Sequence, residues 1–224
     1  PANTLSLHDA LPILGVMLSA ASCLQWWNDN INLDTKENSF ESLLEEAENS
    51  VAGSKGLIYL PYLMGERTPY SDPDAKGAFI GLNITHTRGD MTRSILEGVC
   101  FGLRDSLEIL KSMGVDVKEV RVSGGGSKSK LWKQILASVF NLKVSSINSK
   151  EGPAYGAAIL AAVGCGLYDN VDDACNSLIK ITDTIMPIAK DVDKYDKTYK
   201  VYASLYGCLK DKFKELSKLN SEED

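Results

Sequence analysis

Residues 120–140 read VRVSGGGSKSKLWKQILASVF and contain the clearest structural pattern of the chain. Two valines flank an arginine as in a short buried strand, three consecutive glycines follow, and apolar residues then recur at helical spacing. A strand that passes through glycines into a helix brings the backbone close to a ligand, because no Cβ atom blocks the approach and the helix start offers free N–H groups. The pattern predicts an α/β fold with a nucleotide-binding turn, in which Ser127 or Ser129 caps the helix.

This glycine turn does not match the established nucleotide motifs. A P-loop places Lys and then Ser or Thr directly after its last glycine, whereas Ser127 separates Gly126 from Lys128. A dinucleotide fingerprint has glycine at its first, third and sixth positions, and here Gly124 and Gly126 fit but Ser129 occupies the last. An NAD-dependent oxidoreductase, a non-catalytic nucleotide-binding module and a turn without a ligand all stay open at this point.

The composition indicates a globular protein without a nucleic-acid or membrane partner. The chain has 224 residues, is 44% hydrophobic and carries a net charge of −6, with no dense block of Lys and Arg. No apolar run reaches the ~20 residues that span a bilayer, and the N-terminus lacks the pattern of a secretory signal. Five cysteines without a CxxC pair, beside only two histidines, predict reduced thiols, a cytoplasmic location and no metal site.

A second glycine-containing turn follows the next predicted strand. Residues 142–147 alternate as a strand does, and EGPAYGAAILAAVGCG at 151–166 predicts a helix of mostly small residues. Successive strand-to-helix turns lie at the same edge of a parallel sheet, where α/β folds bind their ligands. We therefore expect the turns at Gly124 and Gly152 to lie side by side and to define a slot.

The rest of the chain reads as helices around this slot. Helices are predicted at 15–30, 40–49 and 91–113 and from 187 onward, with a strand at 57–60 and a long turn-rich segment at 61–82. Gln25 is a polar residue on the first of these helices and either faces water or contacts a ligand. Residues 1–14 are expected to be a foreign or disordered leader, 15–216 a domain, and 217–224 an acidic tail.

Four segments resemble, in order, the C-terminal half of the FGGY carbohydrate kinases. They are GERTPYSDPDAKGAFIGL at 65–82, DMTRSILEG at 90–98, SGGGSKSKLWKQILASVFN at 123–141 and EGPAYGAAILAA at 151–162. The resemblance runs from residue 15 to residue 216. Within the family it is greatest to the xylulokinases, and kinases of glycerol, gluconate or ribulose are the alternatives.

The resemblance implies an actin-like, ribonuclease-H-like ATPase domain of the α/β class, truncated at its N-terminal strands. Enzymes of this family transfer the γ-phosphoryl group of Mg-ATP to a sugar hydroxyl, which for the xylulokinases is the 5-hydroxyl of D-xylulose. The general-base aspartate and nearly all sugar contacts would lie in the N-terminal half. The resemblance therefore assigns no catalytic residue to this chain and predicts that the chain alone is inactive; it also implies a possible homodimer.

The same resemblance implies where ATP contacts this chain. The nucleotide-binding positions of the family fall on Gly125, Gly126, Ser127 and Lys130, and Gln25 matches a position that lines the nucleotide site. Lys130 departs from the asparagine that is common there in the family. None of these residues would take part in bond making or breaking.

Overall fold

The computed structural model describes residues 15–31, 39–149 and 151–221. The helices in these ranges are α1 (Ala20–Asn30), α2 (Ser39–Glu48), α3 (Arg88–Ser112), α4 (Lys130–Phe140), α5 (Gly152–Gly164), α6 (Val171–Leu178) and α7 (Ala189–Ser221). The strands are β1 (Ile58–Leu60), β2 (Ala78–Ile80), β3 (Glu119–Val122), β4 (Lys143–Ile147) and β5 (Ile181–Ile185). Short 3-10 turns lie at Ser54–Gly56 and Gly125–Lys128.

A three-stranded sheet in the order β3-β4-β5 carries the glycine turn. Strands β3 and β4 are parallel, with Val120 opposite Val144, and β5 runs antiparallel to β4. Parallel pairing places the carboxyl ends of β3 and β4 at the same edge of the sheet. The separate pair β1-β2 is antiparallel.

The core is organised around α3, whose middle is buried on nearly all sides. The helix begins with a capping box, in which the Thr87 hydroxyl accepts from the Asp90 N–H and the Asp90 carboxylate accepts from the Thr87 N–H. Gly98 lies directly against the Tyr59 carbonyl, where a Cβ atom would collide with backbone. The missing side chain therefore lets α3 pack closely on β1.

Most predicted elements are present, with shifted ends. The first helix begins at Ala20 and not at residue 15, and α7 continues to Ser221, so that residues 217–221 of the expected acidic tail are helical. Strand β2 lies inside the segment expected to be rich in turns, and β5 and α6 were not predicted. Residues 1–14, expected to be a leader, and 222–224 lie outside the described residues.

Candidate functional site

The first glycine turn has a conformation that glycine alone adopts readily. Gly124 has φ 82° and ψ −166°, a region that is essentially closed to other residues. The following turn is closed by Ser127, whose N–H and hydroxyl both donate to the Gly124 carbonyl, at 3.3 and 2.7 Å. Ser129 caps α4, since its Oγ accepts from the Trp132 N–H at 3.1 Å. The helix cap is therefore Ser129, while Ser127 shapes the turn.

The two glycine turns touch, as the sequence predicts. Gly152 starts α5 directly beside the end of β3, and a Cβ atom on Gly152 would lie 2.5 Å from the Ser123 hydroxyl. A Cβ atom at position 152 would therefore displace the Ser123 hydroxyl. The predicted adjacency of the two turns at the carboxyl edge of β3 and β4 is thus confirmed, while the slot between them stays a prediction.

A cavity of about 610 Å³ opens beside the first turn. Gly125, Gly126 and Gln25, three of the predicted site residues, line it together. The other lining residues come from α1, α2 and the start of α4: Ala21, Leu24, Phe40, Glu41, Leu44, Lys128, Ser129 and Trp132. Its size is within the range of small-molecule sites, ~300–1,000 Å³, and its walls are largely apolar, as such sites generally are.

Gln25 reaches this cavity from an exposed position on α1. Its side-chain amide donates to both carboxylate oxygens of Asp29, at 2.8 and 2.6 Å. These hydrogen bonds hold the pKa of Asp29 below its ordinary value. The Gln25 amide nitrogen is therefore held on its own helix, at the edge of the cavity.

Ser127 lines a second, smaller cavity of about 240 Å³ on the inner side of the turn. Gly125, Gly126 and Trp132 border this cavity as well as the larger one. Lys133 also borders it, but its ammonium group donates to the Asp183 carboxylate at 2.7 Å and the Ser146 hydroxyl at 3.1 Å. That contact ties α4 to β4 and β5 and lowers the pKa of Asp183.

Lys130 lies apart from the other predicted residues. It lines a third cavity, of about 300 Å³, together with Glu41, Glu45 and Glu48 of α2. Gly125 and Gly126 do not border this cavity. The structure therefore brings together Gly125, Gly126 and Gln25, with Ser127 on the inner face of the turn. Lys130 lies in an adjoining recess, which shares Glu41, Leu44, Lys128 and Ser129 with the larger cavity.

Sequence reasoning missed the residues that α2 contributes. Phe40 and Leu44 lie one helical turn apart and form one wall of the larger cavity. The helix was predicted, and its apolar side was the available signal, but an apolar helix face usually packs against a core. Only the three-dimensional arrangement shows that part of it faces an open space.

The described residues were also searched for metal-binding clusters and for membrane-spanning helices. Among the described residues, no group of three His, Cys, Asp or Glu side chains is placed to hold a metal ion. Within the same ranges, no helix combines the length and apolarity that a bilayer crossing requires. All five cysteines are free thiols.

The chain matches known proteins over most of its length. The family model described as "FGGY family of carbohydrate kinases, C-terminal domain" matches residues 9–165. A xylulose kinase of Staphylococcus epidermidis is 36% identical over 201 residues, which is 90% of this chain and 40% of that protein. The crystal structure of xylulose kinase from Rhodospirillum rubrum is 32% identical, with a TM-score of 0.79, and the match covers 89% of this chain and 40% of that one.

A gluconate kinase from Lactobacillus acidophilus has a similar fold, with 26% identity, a TM-score of 0.81 and the same two coverages. These neighbours confirm the predicted fold class, an actin-like, ribonuclease-H-like ATPase domain of the α/β type. The chain spans about 40% of the length of the curated relatives that it matches. It belongs to the FGGY family of carbohydrate kinases and contains the C-terminal domain of that family.

Proposed function

We propose that this chain is the nucleotide-binding half of an ATP-dependent sugar kinase. The observation that carries the proposal is the pair of touching glycine turns at the carboxyl edge of β3 and β4, beside a cavity of about 610 Å³. Such an edge is where α/β folds bind ligands, and bare backbone lets a nucleotide approach closely. Family membership makes ATP the expected nucleotide.

The adenosine moiety would occupy the larger cavity. Its apolar walls suit a flat base, while Gly125 and Gly126 present backbone to the sugar or base and Gln25 stands at the rim. Ser127 would meet the nucleotide from the inner face of the turn. Lys130 lies in a neighbouring recess, and its long flexible side chain would have to cross to the nucleotide.

Phosphoryl transfer requires more than this half. Catalysis of this type rests on positioning and on charge stabilisation around the transferred group, by Mg²⁺ and by protein groups on both sides of it. Mg²⁺ would arrive bound to the ATP phosphates, as it usually does in such sites. We propose that the chain alone binds nucleotide in the cytoplasm but does not transfer the phosphoryl group.

The proposed acceptor is D-xylulose. The support comes from the names of the relatives in Staphylococcus epidermidis and Rhodospirillum rubrum. Gluconate is the second candidate, because the gluconate kinase structure matches the fold with a TM-score of 0.81. The NAD-dependent alternative has less support, because Ser129 stands where the dinucleotide fingerprint needs glycine.

Calorimetric titration of the chain with MgATP, and in parallel with NADH, tests the nucleotide assignment. We expect weak MgATP binding, because each missing charge-assisted phosphate contact is worth about 1.5–3 kcal/mol. Ala21→Arg places a bulky side chain on an exposed position at the mouth of both cavities and should abolish binding. Ala203→Arg, on an exposed face of α7, is the matched control and should bind as the unmodified chain does.

Three results would contradict the assignment. MgATP binding that survives Ala21→Arg would place the nucleotide elsewhere, and stronger binding of NADH would favour the oxidoreductase. Micromolar MgATP affinity of the chain alone would mean that the phosphate site lies within it.

The acceptor is tested on the longest open reading frame that contains this sequence. ATP-dependent phosphorylation of D-xylulose should exceed that of D-gluconate, and the chain alone should show neither. Turnover by the chain alone would refute its role as a half-enzyme, and preference for D-gluconate would select the second candidate.

A further inference from the structure

The indole of Trp132 lies directly behind the glycine turn. A Cβ atom built on Gly126 would be 3.1 Å from both Cε3 and Cζ3 of this ring, closer than a side chain normally approaches. A Cβ atom on Gly125 would meet no atom within 4 Å. The ring therefore occupies the space that a side chain at position 126 would need.

The backbone of Trp132 is also linked to the turn through hydrogen bonds. The backbone N–H of Trp132 donates to the Ser129 hydroxyl, and the Ser129 N–H donates to the Gly126 carbonyl at 3.2 Å. These bonds connect the turn with the helix cap, and the indole contacts the turn at Gly126. Trp132 borders both cavities beside the turn, as Gly125 and Gly126 do.

The far side of the ring is anchored in the core. Trp132 is half-buried and packs against the main hydrophobic cluster. That cluster includes Cys100 on α3, and burial raises the pKa of its thiol. The Trp132 side chain therefore contacts both the hydrophobic core and the turn.

We propose that Trp132 is a positioning residue for the nucleotide, because its ring fixes the backbone of Gly126 and with it the surface that the nucleotide meets. This inference rests on the proposed function. Trp132 acts through the turn, so its removal should first loosen the turn and only thereby weaken binding. A residue that merely stabilises α4 would instead affect the whole helix.

Amide hydrogen exchange of the nucleotide-free chain, read by NMR, tests the first step. The N–H groups of Ser127 and Ser129 bond within the turn and report its order. Trp132→Ala should speed their exchange at least tenfold, while Trp132→Phe, which keeps an aromatic ring, should restore most of the protection. Equal acceleration along all of α4 in Trp132→Ala, or none at Ser127 and Ser129, would overturn the proposal.

A double-mutant cycle on MgADP affinity tests the second step. Gly126→Ala should weaken binding about tenfold when Trp132 is present, because the new methyl group presses on the ring. In the Trp132→Ala background the same change should cost less than threefold. Gly125→Ala is the matched control: its effect should be the same in both backgrounds, since no atom lies within 4 Å.

The outcomes separate the two hypotheses. If the unmodified chain binds MgADP but the Gly126 cycle is additive, or the Gly125 cycle shows the same coupling, the role of Trp132 is refuted and the proposed function stands. If the unmodified chain fails to bind MgADP, the proposed function is refuted, and the exchange experiment still decides whether Trp132 orders the turn.

Discussion

At the scale of single residues, the backbone of Gly124 is the most demanding point of the site. Its φ of 82° and ψ of −166° cost a residue with a Cβ atom about 1–3 kcal/mol. No atom lies within 4 Å of a Cβ built there, so a new side chain would meet strain without a collision. We expect Gly124→Ala to lower the free energy of unfolding by that amount in urea titrations.

The neighbouring glycine supplies the comparison. Gly125 also has open space where a methyl group would stand, but its φ is outside the left-handed region. Gly125→Ala should be neutral or stabilise the chain by about 0.4–1 kcal/mol, because alanine restricts the unfolded state. Equal destabilisation by the two substitutions would show that backbone conformation is not what requires glycine at 124.

At the scale of elements, a buried ion pair within α3 is joined to α7 through the Tyr195 hydroxyl. Arg93 donates to the Glu97 carboxylate at 2.8 Å and to the Tyr195 hydroxyl at 2.9 Å, and that hydroxyl donates to Glu97 at 2.8 Å. Glu97 also accepts from the Gly53 N–H and the Ser54 hydroxyl. Burial raises the pKa of Glu97, and Arg93 opposes the rise.

Removing one charge from this network should be costly. Glu97→Gln leaves the Arg93 guanidinium buried without its carboxylate, and we expect a loss of about 3–5 kcal/mol in the free energy of unfolding. Glu215→Gln, which breaks an exposed pair with Lys212 on α7, should change stability little. Similar losses for both substitutions would mean that burial does not determine the value of these pairs.

Some helices and strands of this chain can be predicted from its sequence, and others cannot. Helices α3 and α4 have long apolar stripes, and their caps at Thr87 and Ser129 follow from local hydrogen bonding. Strand β5 was missed because four of its five residues are exposed, so that no alternation marks it. Its pairing with β4 depends on tertiary contacts that no local pattern records.

The candidate site also has parts that the sequence predicts and parts that it does not. The glycines between each strand and the following helix predicted the turns at Gly124 and Gly152. The parallel order of the two strands predicted that these turns lie side by side. The position of Lys130 could not be predicted, because the recess that it lines with Glu41, Glu45 and Glu48 forms only where α2 lies beside the start of α4. The contribution of α2 also required tertiary structure.

At the scale of the whole molecule, stability should depend on pH through a buried carboxyl group. Asp105 is 7% exposed, and burial raises its pKa to about 6. One of its oxygens accepts from the Tyr199 hydroxyl at 2.7 Å, while the other is buried without a hydrogen-bond partner among the described residues. The folded chain therefore favours the protonated form more than the unfolded chain does.

The difference in pKa between the folded and unfolded chain determines how stability changes with pH. The stabilising contribution of Asp105 is fully present below its unfolded pKa, near 4, and is lost as the pH rises through about 6. Asp90 has the opposite behaviour, since its hydrogen bonds and its pair with Lys55 lower its pKa. Its contribution is lost only as the pH falls below about 4, so the two effects occupy separate windows.

Asp105→Asn should flatten the pH dependence of unfolding between about pH 5 and pH 8. The variant cannot ionise at this position, so it avoids a penalty that reaches about 3 kcal/mol in the unmodified chain at pH 8 and about half of that at pH 5. Urea titrations at both pH values give the comparison, and Asp193→Asn, at an exposed position of α7, serves as the matched control with an unchanged slope. If Asp105→Asn and Asp193→Asn showed the same difference between the two pH values, the buried carboxyl of α3 would not be the group that links folding to pH.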